Sequence, residues 1–462
     1  MKRIRQIIGS DRSTSSDSGF TLVEVIIAMV VFSIIAVSVA AAITNSLVIS
    51  QDSRSRTVAL NLASQDLDQA RAVADVFAVV SKTWTTTVQG TTFTINRSVE
   101  WQSSDTTTTA CGTGTGTLQY KIVRDTVTYP GAGTTNPVVT TTTLAPNSRI
   151  NDPTLGSIVV FVTGASGAGV AGVTVSIAPT STPNGAVALA TAPAVTDSNG
   201  CSYALKVTPG NYNVTLSMTN GVDSSQVASP SKIAVVTAGT SSPEPFLYDT
   251  SAQLQLQYAS NYSGSALLPT NLATSFTSTS GTYTSTTASS TSSVNLFPFT
   301  GGYHYETGAY SPVVPGATTD KTCLDPDPTE WTTPNTKTQA VGSSFVTAAA
   351  SGTGNPTVKI PMGVVTLPAL ANTLGVLTGG LIPIYATSVS STANGDPGCT
   401  AGMSYTFSTA AGTPTLALPF GTWKITVGTK STAVTLTASN LKTAGYVNSD
   451  GTITFDPRGV TP

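Results

Sequence analysis

The sequence predicts an α+β N-terminal part, one long N-terminal helix packed on an antiparallel sheet, followed by mostly all-β sandwich domains. Three observations carry this. Residues 20–80 contain no proline or glycine, and their apolar residues first form a solid block and then a helical stripe. From residue 83 onward, short runs of period-two alternation are punctuated by Gly, Pro, Asn and Asp. Charged residues make up only 10% of the 462 positions, with Thr, Ser, Gly and Ala in their place, against about 25% in an average globular chain. Threonine runs such as Thr106–Thr109 and Thr140–Thr143 suit strands. The length leaves room for about three domains of ordinary size.

The first element is an apolar helix behind a basic leader. Residues 1–19 carry Lys2, Arg3, Arg5 and Arg12 against Asp11 and Asp17. From Val25 to Gln51 there is no ionisable residue, and Val25–Ile43 is interrupted only by Ser33 and Ser38. A helix of about 20 apolar residues crosses a bilayer, which predicts one transmembrane span over residues 20–45. The leader's cations keep it cytoplasmic and direct the body outside. A cleavable secretory signal is the competing reading, with Ala40-Ala41-Ala42 as a small-residue site. Two features oppose it. The apolar run exceeds the ~7–15 residues of a signal's apolar region. Glu24 also stands at its entrance, where a carboxylate costs a few kcal/mol.

Gly19-Phe20-Thr21-Leu22-Val23-Glu24 followed by the apolar helix resembles the class III signal of type IV pilins and pseudopilins. The resemblance implies that a prepilin peptidase cuts between Gly19 and Phe20 and that the new Phe20 amine is methylated. Glu24, the fifth mature residue, then pairs with the Phe20 amine of a neighbouring subunit during filament assembly. An interaction of Glu24 with its own helix dipole is the plainer reading and is compatible with the first.

Beyond the span, Leu60, Ala63, Leu67, Ala70 and Ala74 follow 3-4 spacing. They predict that the helix continues over 20–82 and lays this stripe on a sheet at 83–153. In that sheet Phe93, Ile95, Val99 and Trp101 alternate after a Gln89-Gly90 turn, broken by Arg97, and 118–123 and 126–129 form two more strands.

Residues 154–249 read as an all-β module. Val173, Val175 and Ile177 alternate, and Cys201, Tyr203, Leu205 and Val207 are expected on one strand face. Thr196-Asp197-Ser198-Asn199-Gly200 and Pro209-Gly210-Asn211-Tyr212-Asn213-Val214 are similar to turns of carboxypeptidase regulatory-like and Cna-B-like β-sandwiches. A β-rich domain at 250–357 and a second sandwich at 358–462 complete the expected order. In the last, Ile382 and Ile384, Gly398-Cys399 and Pro419–Val427 echo the first copy.

The chemistry available to this chain is limited. Net charge is −2, which argues against a nucleic-acid surface. His304 is the one histidine, so a Ser-His-Asp or Cys-His mechanism has a single candidate base, which nearly rules it out, and a multi-histidine metal centre has too few ligands. No enzymatic activity, cofactor or metal is expected. Asp325, Asp327 and Glu330 near Cys323 are expected as a solvated acidic loop, the alternative of a Ca²⁺ site lacking the glycine and ligand rhythm of a binding loop. His304 and Glu306 are expected on an exposed strand, with a ligand pair as the alternative. Cys111, Cys201, Cys323 and Cys399 lack any C-x-x-C and suit one or two disulfides in an oxidising space, with free thiols as the alternative. Both Cys323 and Cys399 lie in Pro/Asp-rich loops, which favours that pair and leaves Cys111 with Cys201.

The expected function is structural: a large, minor type IV pilin-like subunit, at the filament tip or in priming. The tip follows from more than 300 residues beyond the helix–sheet part, a head that would collide with its copies along a shaft. Expected partners are the prepilin peptidase, other pilin subunits with their assembly machinery, and the membrane, with the body ending at the cell surface. One alternative is an adhesin whose sandwiches bind carbohydrate or a surface protein through Tyr303, Tyr305, Tyr310 and Trp331. Another is a pseudopilin of a secretion or DNA-uptake system.

Overall fold

Helix α1 (Leu22–Ala72) opens the chain in a computed structural model. The structure describes residues 21–458 except 131–136, 183, 288–290, 309, 312–321, 334–344, 347–355, 372–380, 391–392, 401, 429 and 431. Contacts divide the molecule into two units. The first holds the chain up to Val99 together with Ile122–Leu144, and the second holds Glu100–Lys121 and Ala145–Pro462.

In the first unit, Thr21 caps α1, its hydroxyl accepting the Glu24 N–H at 3.3 Å. The helix ends at Ala72, short of the expected residue 82. Val73 is extended, and the Asp75 carboxylate accepts the Phe77 N–H to start a 3₁₀ turn at Val76–Ala78. A short acceptor bonding its own backbone competes with helix continuation. The buried stripe is Ala59, Ala63, Asp66, Leu67 and Ala70. Leu60 is instead 42% exposed, and Ala74 lies past the helix end and is exposed.

The sheet follows with β1 (Lys82–Val88), β2 (Thr91–Ser103), β3 (Thr108–Thr109), β4 (Leu118–Thr128) and β5 (Val138–Leu144), in the order β1-β2-β4-β5. Strands β1 and β2 are antiparallel around Gln89 and Gly90, both at positive φ (49° and 80°), the backbone that a two-residue hairpin turn requires. Phe93 and Ile95 pack with Ala59, Ala63, Val127 and Val138, while Val99 packs with Leu67, Ala70, Val79 and Val123.

The second unit contains a two-sheet sandwich built from β6 (Gly156–Thr163), β7 (Thr174–Pro179), β8 (Cys201–Val207), β9 (Gly210–Ser217), β10 (Gly221–Asp223), β11 (Ser231–Val236) and β12 (Ser241–Thr250). The sheets are β10-β12-β6-β8 and β11-β9-β7, with β6 and β12 parallel and the other pairs antiparallel. Ile158, Val160 and Val162 face Val173, Val175, Tyr212, Val214 and Leu216 across the core. Gly200 (φ +80°) closes the turn before β8, where a Cβ would stand 2.1 Å from the Val162 carbonyl oxygen.

The face expected for β8 divides. Ala204 and Val207 enter the sandwich core, whereas Cys201 and Tyr203 lie on the other side with Val159, Phe161 and Cys111. Lys206 sits at φ 54°, and the β6–β8 register shifts between Gly156 and Ile158. The irregularity returns Val207 to the core. Strand β6 is buried on both faces because the 100–121 segment covers the outer one. There the Trp101 indole N–H donates to the Tyr203 hydroxyl at 3.0 Å, and buried Lys121 lies over the Trp101 ring.

Residues 252–455 share one further core, from Ala252 and Leu254 to Ile453 and Phe455. The spans 250–357 and 358–462 both contribute to it, and Thr357–Ile360 pairs in parallel with Ala252–Tyr258. Ile382–Ser388 pairs antiparallel with Gly421–Val427, as β7 does with β9.

Candidate functional site

Gly19 and Phe20 lie outside the described residues. Glu24 is in the first turn of α1 and exposed, at the end where the helix dipole favours a negative charge. From Val25 to Ile43 the helix is apolar on every side. Leu22 is 79%, Phe32 73% and Val37 69% exposed, and an 18-residue window of mean hydropathy 2.9 has none of its residues buried. A helix apolar all round needs a lipid or protein partner on every side. Its interrupting polar groups are satisfied internally: Ser33 Oγ donates to the Met29 carbonyl at 2.7 Å and Ser38 Oγ to that of Ile34 at 2.8 Å. This meets the requirement that no backbone or side-chain donor be stranded in hydrocarbon. At 1.5 Å per residue α1 is about 75 Å long, so a ~30 Å span uses less than half of it.

The C-terminal half of α1 is fastened to its sheet by polar as well as apolar contacts. Tyr129 OH donates to Asp52 at 3.1 Å, and Arg71 reaches Thr142 Oγ1 at 2.7 Å. Between them Arg97 forks Asp66, its Nε donating to Oδ2 at 2.7 Å and its Nη2 to Oδ1, while Arg97 also lies over the Trp84 ring at 5.6 Å. Asp125 completes the group and is fully buried. Burial first, and the Asp66 charge second, push its carboxyl up to about 7. Sequence reasoning missed this cluster. Its signals were Arg97 breaking the strand alternation and Asp66 one position from Leu67 on the apolar stripe.

The four cysteines form two disulfides, Cys111–Cys201 and Cys323–Cys399. Cys323, Asp325 and Cys399 place ligand-type atoms within 4.8 Å of one another, but the two sulfurs are bonded to each other and offer no thiolate. The acidic loop is mostly buried rather than solvated: Asp325 is 2% and Asp327 9% exposed, with only Glu330 outside. Asp327 accepts the Thr329 N–H and hydroxyl to cap the 3₁₀ turn at Pro328–Glu330. Burial, reinforced by Asp396, pushes Asp325 up to about 7. Glu306 is likewise buried, whereas His304 beside it is exposed.

The expected aromatic recognition surface is part of the core. Tyr303 and Trp331 are 0% and Tyr305 7% exposed, and Tyr310 is half-buried. Tyr303 OH donates to the Phe297 carbonyl at 2.7 Å, and the Trp331 indole to that of Asp325 at 3.0 Å. Amphipathic rings that find buried acceptors pack inward, so these side chains form no adhesive face.

Residues 14–40 match the family model of the prokaryotic N-terminal methylation motif. The N-terminus is thus of the type IV prepilin kind. No curated protein matches the chain. Among solved structures it is similar to the Bacillus anthracis TIE protein, at 11% identity over 76% of this chain and 68% of that one, TM-score 0.19. A streptococcal ancillary pilin is 9% identical over 60% and 78%, TM-score 0.20. BcpA, the major pilin subunit of Bacillus cereus, is 12% identical over 65% and 91%, TM-score 0.19. At such superposition nothing of their folds or roles transfers to this chain.

Proposed function

We propose that this chain is a structural subunit of a type IV pilus-like filament, processed at Gly19–Phe20 and held in the filament by α1. The observation that carries the reading is the methylation motif at 14–40 at the head of a helix whose first half is apolar on all sides and unburied. Before assembly the bilayer covers that surface; in the filament, the same segments of neighbouring subunits replace the lipid. Cleavage leaves an α-amine on Phe20 at the membrane edge, where an unpaired charge is costly. Glu24 of the incoming subunit supplies the matching carboxylate and sets the axial register.

The reading makes the prepilin peptidase, other pilin subunits and their assembly machinery its partners. It places the mature protein first in the cell membrane and then on the outer surface, with no catalytic role. The sandwich and the 252–455 core ride outside as a large head. That bulk supports a minor subunit at the tip or in priming, since a head this size hinders lateral packing along a shaft. Recovery of the chain in sheared filaments tests the reading; a protein confined to the membrane fraction in an assembling strain would overturn it.

A further inference from the structure

Asp66, Arg97 and Asp125 come from three elements of the first unit, α1, β2 and β4, and meet where the helix lies on the sheet. Asp66 is 4% exposed and Asp125 0%. The Asp66–Arg97 fork is complete in itself, one carboxylate against one guanidinium through two donors. Nothing in it balances a second negative charge. Neither Asp125 carboxyl oxygen accepts a hydrogen bond from a donor among the described residues, and the one side chain within its hydrogen-bonding reach there is the Asp66 carboxylate, an acceptor that only a protonated Asp125 can satisfy. The charged groups facing Asp125 are Asp66 from α1 and Arg97 from β2. Strand β5 contributes threonines and no ionisable residue. Arg71, the next cation along α1, is engaged with Asp68 and Thr142. A buried carboxyl in this setting is stable only as the neutral acid.

We propose that Asp66, Arg97 and Asp125 form a proton-operated latch that clamps the C-terminal half of α1 to its sheet when Asp125 is protonated and loosens it when Asp125 ionises. The protonated acid leaves one negative and one positive charge in the interface. Its loss places two carboxylates against one guanidinium, away from water. The like-charge repulsion falls between helix and strand, the two bodies that the apolar stripe of Ala59, Ala63, Leu67 and Ala70 holds together. The proton affinity agrees, since Asp125 is raised from 3.8 to about 7. A raised carboxyl stabilises the folded form fully below the unfolded value near 4 and loses that contribution as pH rises to about 7. The latch stands on the first unit alone and does not depend on the filament reading.

Other buried carboxyls in the second unit titrate in a similar range, so the readout is local. Hydrogen exchange of the amides in residues 59–72 is followed in the full chain in detergent at pH 5, 6, 7 and 8. The rates are divided by the intrinsic base-catalysed rate at each pH. The opening equilibrium is expected to rise with pH, by up to about tenfold per unit between pH 5 and 7, and to level off above. Asp125→Asn, which is neutral throughout, is expected to remove the rise. Asp66→Asn leaves Asp125 alone with Arg97 and is expected to move the rise to lower pH. Flat normalised exchange in the unaltered chain, or an unchanged pH profile in either variant, overturns the latch.

Discussion

Cys111 is bonded to Cys201 across 90 residues of chain, so the 100–121 segment belongs with the sandwich rather than with the helix-bearing unit. The bond works together with Trp101 and Tyr203, whose side chains meet at 3.0 Å beside it, to cover the outer face of β6. Closing a loop of this length restricts the unfolded chain by about 4.6 kcal/mol in the chain-entropy account. Cys111→Ser with Cys201→Ser is therefore expected to lower thermal stability by several degrees. Protease cleavage should then appear within 100–121. Calorimetry and peptide mapping check this; an unchanged melting temperature would mean that Trp101 and its neighbours hold the segment without the bond.

The C-terminal core carries its own pH dependence. Burial, then the Asp396 charge, raises Asp325 to about 7, and burial raises Asp396 to about 6 despite the Thr422 hydroxyl and Gly398 N–H that it accepts. Raised carboxyls stabilise the fold fully below about pH 4 and lose that contribution as pH climbs through their folded values. The melting temperature of the transition that includes this core should fall between pH 5 and 7. Asp325→Asn should flatten the fall. A melting temperature that rises over this interval would show that these carboxyls are ionised in the folded protein.

How much of this was legible in the sequence depended on whether local rules acted alone. The apolar block of α1 and the Gln89–Gly90 hairpin follow from hydropathy and turn chemistry within a few residues. The helix end at Ala72 did not, because Asp75 caps a 3₁₀ turn that no periodicity announces. Strand β8 was assigned one face, yet a positive-φ residue at Lys206 moved Val207 to the other. Tyr303, Tyr305 and Trp331 looked like a surface because their sequence neighbours are polar. Their acceptors, Phe297, Lys359 and Asp325 carbonyls, come partly from distant strands. The Asp66–Arg97–Asp125 group spans three elements, and only the assembled sheet brings them together.

Glu24→Ala removes a charge from the entrance of an apolar helix, so membrane insertion should be unaffected or improved. Filament recovery should drop about tenfold or more if the lost partner of the Phe20 amine is worth a charge-assisted bond. Quantitative immunoblots of membrane and sheared fractions separate the two effects. Equal recovery of Glu24→Ala and the unaltered chain in filaments would remove the pairing from the account.

Gold-labelled antibody against residues 154–462 should decorate filament ends sparsely, because a head of this size hinders lateral packing along a shaft. Dense labelling along the whole length would make the chain a major subunit.

The central claim rests on the N-terminus of the mature protein. Mass spectrometry of the N-terminal peptide from the membrane and filament fractions tests it most directly. The account predicts a chain that begins at Phe20, with a methylated α-amine, and retains Glu24 and the whole of α1. A mature chain beginning near Thr44, past the Ala40-Ala41-Ala42 stretch, would make this an ordinary secreted protein without the helix on which the filament depends.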